Sequence, residues 1–202
     1  MARGLRQIKA ALSPAPAKDP LAAVHRFRVP NWLFGMALVV GTVLAYLPAL
    51  SGQFVWDDDS WTTNITHLLR DLVGLRAMWC NLTALQQYFP LTGTTFWIDY
   101  HLWGFWTFPY HVENVLLHAM AALMVWKLLD RLKVPAAWLA AAIFALHPAM
   151  VESAAWITER KNVLSICFYL GALLAYGKFV GFWEGGVGGL SKSGTPHPDP
   201  LP

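Results

Sequence analysis

Residues 111–157, HVENVLLHAMAALMVWKLLDRLKVPAAWLAAAIFALHPAMVESAAWI, contain two long apolar runs separated by a short turn that carries Arg131 and Lys133. A helix of about 20 apolar residues crosses the hydrocarbon core of a bilayer. We therefore predict that the runs 111–129 and 136–157 form an antiparallel pair of transmembrane helices. Basic residues collect in the cytoplasmic loops of membrane proteins, so the turn is expected to be cytoplasmic.

The composition of the whole chain is also that of a membrane protein. Of its 202 residues, 56% are hydrophobic and 13% are charged, whereas soluble domains carry about 25% charged residues. Two more apolar runs, 32–50 and 163–183, bring the predicted number of spans to about four. The formal net charge is +3, and the basic residues lie beside the apolar runs. This distribution favours membrane lipid as a partner and argues against nucleic acid.

The segment between the first and second spans, 51–110, is expected to be a large external loop. Its acidic residues outnumber its basic ones, which is typical of the translocated side. Apolar residues recur in it at helical spacing, at Leu68, Leu72, Leu75 and Trp79. This pattern predicts an amphipathic helix that lies in the membrane interface. The predicted fold class is therefore an all-α membrane protein, with about four transmembrane helices and an interfacial amphipathic helix in the first external loop.

The two ends of the chain differ in composition from the transmembrane module, 31–183. Residues 1–30 carry six basic residues against one acid and include a Pro/Ala-rich stretch, which predicts a disordered, cytoplasmic amino terminus. Residues 184–202 are rich in Gly and Pro without apolar periodicity, which predicts a disordered tail. The abrupt change of character there is typical of a truncated gene product. The expected location is the bacterial cytoplasmic membrane, as a multi-pass protein.

Three adjacent carboxylates, Asp57, Asp58 and Asp59, follow the first span on its external side. Such a cluster can supply a general base to a hydroxyl nucleophile. It can also hold a divalent cation, for which Asp57 and Asp58 are the candidate ligands. The alternative is that the acids only mark the topology or cap a helix.

Ionisable residues inside the second and third spans form another candidate site. Counting inward from the turn places His118 and His147 at one depth. The same count pairs Glu113 with Glu152. Pro148 should kink the third helix and free backbone carbonyls beside His147. Two interpretations stay open: contacts that hold the helical hairpin together, or a path for protons or ions through a small transporter or channel subunit.

A third candidate site is the short link between the third and fourth spans, which contains Glu159, Arg160 and Lys161. Basic side chains at the outer headgroup level can hold the phosphate of a lipid-linked substrate, Arg through a forked contact and Lys as a point charge. Contact with ordinary anionic lipid is the alternative.

Several stretches along the chain carry a family resemblance. They are FVWDDDSWTTN (54–64), YFPLT (88–92), IDYHLWG (98–104), YHVENVLLH (110–118) and FALHPAMVESAAWITERKNVLS (144–165). Together they resemble the amino-terminal part of multi-pass GT-C type glycosyltransferases, allied to the transmembrane and tetratricopeptide-repeat O-mannosyltransferases and their bacterial relatives. The family often has Gly where Glu159 stands and Asp where Asn162 stands, and its members continue through more spans.

The resemblance implies a transferase that moves a sugar, such as mannose, from a polyprenyl-phosphate carrier to a hydroxyl of a protein or glycan acceptor on the external face. It implies that Asp57 and Asp58 are catalytic. The residues that it assigns to substrate binding are His111, Asn114, His118, His147, Glu152, Arg160 and Lys161. An inactive, truncated remnant of such an enzyme is the alternative, beside the transporter.

Overall fold

The computed structural model describes residues 30–185. The sequence predicts disorder in segments 1–30 and 184–202. Nearly all of both segments, residues 1–29 and 186–202, lies outside the described part. The helices are, in chain order, α1 Asn31–Tyr46, α2 Asp58–Trp61, α3 Thr66–Leu69, α4 Leu72–Cys80, α5 Pro90–Trp103, α6 Thr107–Arg131, α7 Ala137–Leu146, α8 Val151–Ala155, α9 Arg160–Phe179 and α10 Phe182–Gly185. Two 3₁₀ turns, Leu47–Ser51 and Pro148–Met150, extend α1 and join α7 to α8. The described residues contain no β-strand.

Three helical segments are long and apolar enough to cross a membrane: Asn31–Ser51, Thr107–Arg131 and Arg160–Phe179. The pair α7 and α8 passes the same test together, as one span bent by 55°. The predicted all-α membrane fold with about four spans is therefore confirmed.

The bend in the third span lies at the predicted proline. Pro148 has no N–H for the helical ladder, and its ring disfavours helical geometry at the residue before it. His147 accordingly has extended backbone angles, φ −68° and ψ 133°. The helix ends at Leu146 and resumes only after one 3₁₀ turn.

Helix α6 is the centre of the bundle, because α1, α7 and α9 all pack against it. Small buried residues, among them Ala122 and Ala141, bring α6 and α7 together beside Leu38 of α1. Ala121 packs against Cys167 on the face that α6 turns to α9. Small side chains let transmembrane helices approach closely, and van der Waals packing then holds them.

The segment between α1 and α6 is folded around an aromatic core. Its largest members include Trp61, Phe96 and Tyr110, and each of these residues is at most 2% exposed.

The helix predicted from periodic apolar residues is α4, which begins only after Asp71. Gly74 and Met78 of α4 are buried, whereas Leu72 and Trp79 are 70% and 49% exposed. Leu68, the first residue of the predicted pattern, lies in the separate helix α3 and is buried. Contact of the exposed face with the membrane interface stays a prediction.

We expect Gly74→Ala to loosen the packing of α4. A methyl group at Gly74 would lie 2.2 Å from the carbonyl oxygen of Leu68, and backbone atoms cannot move aside as a side chain can. Overpacking of this kind costs about 1–3 kcal/mol. The midpoint of thermal unfolding of the detergent-solubilised protein measures the effect. Gly41→Ala is the matched control, because an added methyl there meets no atom within 4 Å; equal midpoints for the two variants would contradict the packing described.

Candidate functional site

The Asp58 side chain joins two distant parts of the chain. It is fully buried, and its Oδ1 accepts hydrogen bonds from the Thr158 hydroxyl and, at 2.8 Å, from the Thr158 backbone N–H. Its Oδ2 accepts from the Val55 N–H at 2.9 Å. The carboxylate therefore fastens the loop after α1 to the link before α9, 100 positions away in sequence.

Asp57 has the opposite environment from its neighbour. Its Oδ1 atom is buried, yet no described residue donates a hydrogen bond to it. A buried acceptor without a partner costs about 1–3 kcal/mol, and more when it is charged. Such an atom in a folded protein calls for an explanation, and a bound ligand or water is the usual one.

A buried hydrogen-bond donor lies in the link before α9, which Asp58 connects to the loop after α1. The indole N–H of Trp156 is buried and also has no hydrogen-bond partner among the described residues. The Trp156 ring packs edge-on against Trp56, with 4.8 Å between ring centroids. Trp56 precedes Asp57 and is 83% exposed. The loop after α1 and the link before α9 thus meet through paired aromatic rings as well as through Asp58.

The contacts of Asp58 do not fit the divalent cation that the sequence allowed at this pair. Its Oδ1 already accepts two hydrogen bonds and its Oδ2 one, all from protein donors, so a cation at this pair would have to share the carboxylate with these donors. No group of three or more His, Cys, Asp or Glu side chains within the described residues could hold a metal ion.

Three polar residues on one face of α6 bind backbone carbonyls of the broken third span and the link after it. His111 Nδ1 lies 2.9 Å from the carbonyl oxygen of Ala155, and His118 Nε2 lies 3.0 Å from that of Ala145. A carbonyl only accepts, so each of these ring nitrogens carries the proton and donates. Asn114 Nδ2 donates to the carbonyl of Trp156 at 2.8 Å.

The contact of His118 helps to explain how the break in the third span is tolerated, and those of His111 and Asn114 serve carbonyls where the span ends. Carbonyl groups that leave the helical ladder inside a membrane need other donors, since lipid offers none. The resemblance assigned His111, Asn114 and His118 to substrate binding, whereas in the structure their donors hold the protein's own backbone. The Nε2 atom of His111 is the exception, because it is buried without a partner.

Arg160 is the largest fully buried side chain of the described part. Its guanidinium donates to Asn114 Oδ1 at 2.9 Å, the Thr95 hydroxyl at 3.3 Å, the Tyr110 carbonyl at 3.2 Å and the Asp99 carboxylate, and it lies 3.2 Å from Glu113 Oε2. The Phe96 ring lies over the guanidinium, with 4.6 Å between the ring centroid and the Arg160 Cζ atom.

Arg160 therefore does not lie at an exposed surface, where it was expected to meet a lipid phosphate. Its side chain is 0% exposed, because two carboxylates from α5 and α6 draw the guanidinium into the protein. A buried charge of this kind must be paired and hydrogen-bonded. Arg160 links α5, α6 and α9, and no surface remains on it for a lipid phosphate.

The predicted layer of histidines and glutamates does not form among the described residues. His118 lies beside Ala145, two residues before His147 in the third span, and so near the depth predicted for both histidines. The His147 ring, however, is exposed, and its Nδ1 accepts a hydrogen bond from the Ala149 N–H at 3.1 Å. The two imidazoles thus do not face each other, because the chain turns at the break. Glu113 faces Arg160 instead of the exposed Glu152.

Lys161 lies at the edge of a groove of about 490 Å³ between α4, α5 and α9. Its Nζ donates to Glu159 Oε1 at 2.6 Å. The groove is mainly apolar, and its walls include Trp79, Tyr88, Phe89, Leu164 and Phe168. Of the link residues, Lys161 is thus the one whose cation adjoins an open, largely apolar surface.

Sequence reasoning missed two partners in these contacts. Asp99 was counted only as a loop acid, although an acid inside the apolar stretch FWIDY is a visible sign of a buried pair. Thr158, which holds Asp58, carries no sign in the sequence.

Comparison with known proteins identifies relatives that the chain matches over part of their length. No family model and no solved structure matches the chain. Protein O-mannosyl-transferase F38B6.6 of Caenorhabditis elegans is 32% identical over 158 residues, which are 71% of this chain and 23% of that protein. Protein O-mannosyl-transferase TMTC4 of Mus musculus is 30% identical over 177 residues, 73% of this chain and 24% of that protein. Protein O-mannosyl-transferase TMTC1 of Homo sapiens is 30% identical over 171 residues, 78% of this chain and 19% of that protein.

The chain spans about a quarter of the length of the first two relatives. The similarity nevertheless covers more than two thirds of this chain in each of the three comparisons. The resemblance predicted from the sequence motifs is thus confirmed, and the chain is a homologue, over part of their length, of the family of protein O-mannosyl-transferases.

Proposed function

We propose that this chain is part of a membrane glycosyltransferase that transfers mannose from a polyprenyl-phosphate carrier to a hydroxyl group of a protein on the external face. The names of its relatives support the sugar and the class of acceptor. The buried, unpartnered Oδ1 of Asp57 is the observation in the structure that carries the proposal. A transferase of this kind needs a carboxylate that is free to accept a proton from the acceptor hydroxyl.

In the proposed reaction the acceptor hydroxyl donates a hydrogen bond to Asp57. Its oxygen forms the new bond to the anomeric carbon of the sugar as the bond from that carbon to the carrier phosphate breaks. The hydroxyl proton passes to the Asp57 carboxylate, and the electron pair of the broken bond stays on the carrier phosphate. A cation beside the phosphate, which we assign to Lys161, stabilises the charge that develops there.

Asp58 has a positioning role in this proposal. Its bonds to Thr158 and Val55 fix the loop on which Asp57 stands. They also tie that loop to the segment that leads to Lys161. Holding Asp57 and Lys161 in fixed positions before the reaction lowers the entropic part of the activation barrier.

The groove beside Lys161 is the proposed place of the carrier. Its apolar walls suit the polyprenyl chain, and Lys161 suits the phosphate as a point charge. We expect Lys161→Ala to weaken binding of a photoreactive polyprenyl phosphate by about tenfold to a hundredfold, since a hydrogen bond to a charged group is worth about 1.5–3 kcal/mol. Labelling yield against carrier concentration measures the affinity.

Two variants control the carrier experiment. Lys161→Arg keeps the charge and should retain most of the labelling, while Arg76→Ala removes an exposed base that does not line the groove. Unchanged labelling in Lys161→Ala would place the carrier elsewhere.

The proposed orientation has the amino terminus and the turn at Lys133 in the cytoplasm and the segment between α1 and α6 outside. A topology reporter inserted after Lys133 should therefore read cytoplasmic, and one inserted after Thr83 should read external. A cytoplasmic signal at Thr83 would put Asp57 on the wrong side for the proposed reaction. The bacterial cytoplasmic membrane stays a prediction from the sequence.

A further inference from the structure

The end of the bundle opposite Asp57, where α6 and α9 both end, contains a cavity of about 460 Å³. Its walls are Lys127, Arg131, Leu174, Ala175, Lys178 and Trp183. Three of these six residues are cations, contributed by two helices. No residue of the proposed catalytic or carrier site takes part in it.

The cations converge because of their spacing along the helices. Lys127 and Arg131 are four residues apart and so share one face of α6, while Lys178 stands in the last turn of α9. All three are exposed. The ion pairs found between described side chains involve only Arg160 and Lys161 as cations. Asp130, although it precedes Arg131, does not line the cavity.

Membrane topology and helix dipoles explain basic residues at this end of the bundle, but not a cavity that they surround. Cations that face one another across a cavity repel each other, and a bound anion relieves that repulsion.

Trp183 is held in place as a wall of the cavity. Its indole N–H donates to the Leu174 carbonyl at 3.2 Å. Its ring packs so closely on Gly177 that a Cβ atom there would lie 2.2 Å from it. Trp is favoured at the depth of the headgroups, where its ring contacts lipid and its N–H finds an acceptor.

We propose that this cavity binds the phosphate of an anionic phospholipid from the leaflet at this end of the bundle. The cations surround the phosphate, and the acyl chains pass over Leu174 and Ala175 on the wall formed by α9. A lipid fits better than a free phosphate for two reasons. The cavity lies at the ends of transmembrane helices, where headgroups are concentrated, and its lining is partly apolar. Basic pockets between membrane helices bind phosphorylated headgroups in this way.

Native mass spectrometry of the detergent-solubilised chain, titrated with phosphatidylglycerol, tests the proposal. Each charge near the membrane surface contributes about 1 kcal/mol to anionic lipid binding, which is roughly a fivefold change in affinity. We expect Lys127→Gln and Lys178→Gln each to weaken binding about fivefold, and the double variant to weaken it about 25-fold. Lys133→Gln is the matched control, since it removes a charge from the turn at the same end without touching the cavity.

Two further arms separate the sources of the anion. Phosphatidylcholine, which has no net charge, should bind equally to the wild type and to the double variant. Inorganic phosphate should compete with phosphatidylglycerol only at far higher concentration. Loss of affinity in Lys133→Gln as large as in the two cavity variants would overturn the proposal, as would competition by inorganic phosphate at lipid-like concentrations. The single variants keep the test decisive if the double variant does not fold.

Discussion

Arg160→Met is expected to destabilise the protein by about 3–5 kcal/mol, the usual cost of removing one partner of a buried ion pair. The substitution leaves Asp99, which is 1% exposed, without its cation. It also removes the donor that binds the Asn114 side-chain oxygen at 2.9 Å. Chemical unfolding by sodium dodecyl sulfate in mixed micelles, followed by near-ultraviolet circular dichroism, measures the free energy of unfolding.

Lys161→Met is the matched control for the Arg160 variant. It removes a neighbouring cation from a partly buried pair with Glu159, whose side chains are 21% and 14% exposed, so the loss should be smaller than for the fully buried Arg160. Adding Asp99→Asn to Arg160→Met should restore part of the lost stability, because the unpaired buried charge is then gone. Positions in one network are not additive, and the double variant reveals their coupling. Equal losses in Arg160→Met and Lys161→Met would refute the buried position of Arg160.

The second large effect is expected from Asp57→Asn. The substitution keeps the size of the side chain and removes the charge that accepts the proton, so the rate of sugar transfer should fall on the order of 100-fold or more. The stability should not fall, since no described group loses a hydrogen bond to the Asp57 Oδ1 atom. Initial rates of transfer to an acceptor peptide measure the effect, in a chain extended to the full length of its relatives.

Asp58 and Asp59 provide the comparison for Asp57. Asp58→Asn should lower the midpoint of thermal unfolding, because an amide nitrogen replaces one acceptor among the bonds to Thr158 and Val55. Asp59 is exposed, and among the described residues its side chain bonds only to the nearby Thr63, so Asp59→Asn should change the rate little. If Asp57→Asn transfers sugar at a rate close to that of Asp59→Asn, Asp57 is not the general base.

The parts of the fold that could be predicted from the sequence depend on local physics. A long apolar run such as 32–50 predicts a span by its length alone. The break at His147 follows from the chemistry of Pro148, which acts on its own helix. Each of these features requires knowledge of one segment only.

The features that sequence reasoning missed depend on pairs that are far apart in the chain. The Asp57 and Asp58 carboxylates look alike in the sequence, and only the contact of Asp58 with Thr158 separates a bound carboxylate from a free one. The charge of Arg160 can be read from the sequence and favours the surface. Its burial depends on Asp99, which lies 61 positions away and is not recognisable as its partner from the sequence. The resemblance identified important positions, but not which of them contact substrate and which hold the protein together.

The measurement that tests the account most directly is mannose transfer by the extended chain in sealed, right-side-out vesicles. Polyprenyl-phosphate mannose and a hydroxyl-bearing peptide are both supplied from outside. We predict that the wild type labels the peptide and that the Asp57→Asn variant labels it on the order of 100-fold more slowly. Labelling by the Asp57→Asn variant at the wild-type rate would contradict the account, and so would a wild type that labels only peptide enclosed within the vesicles.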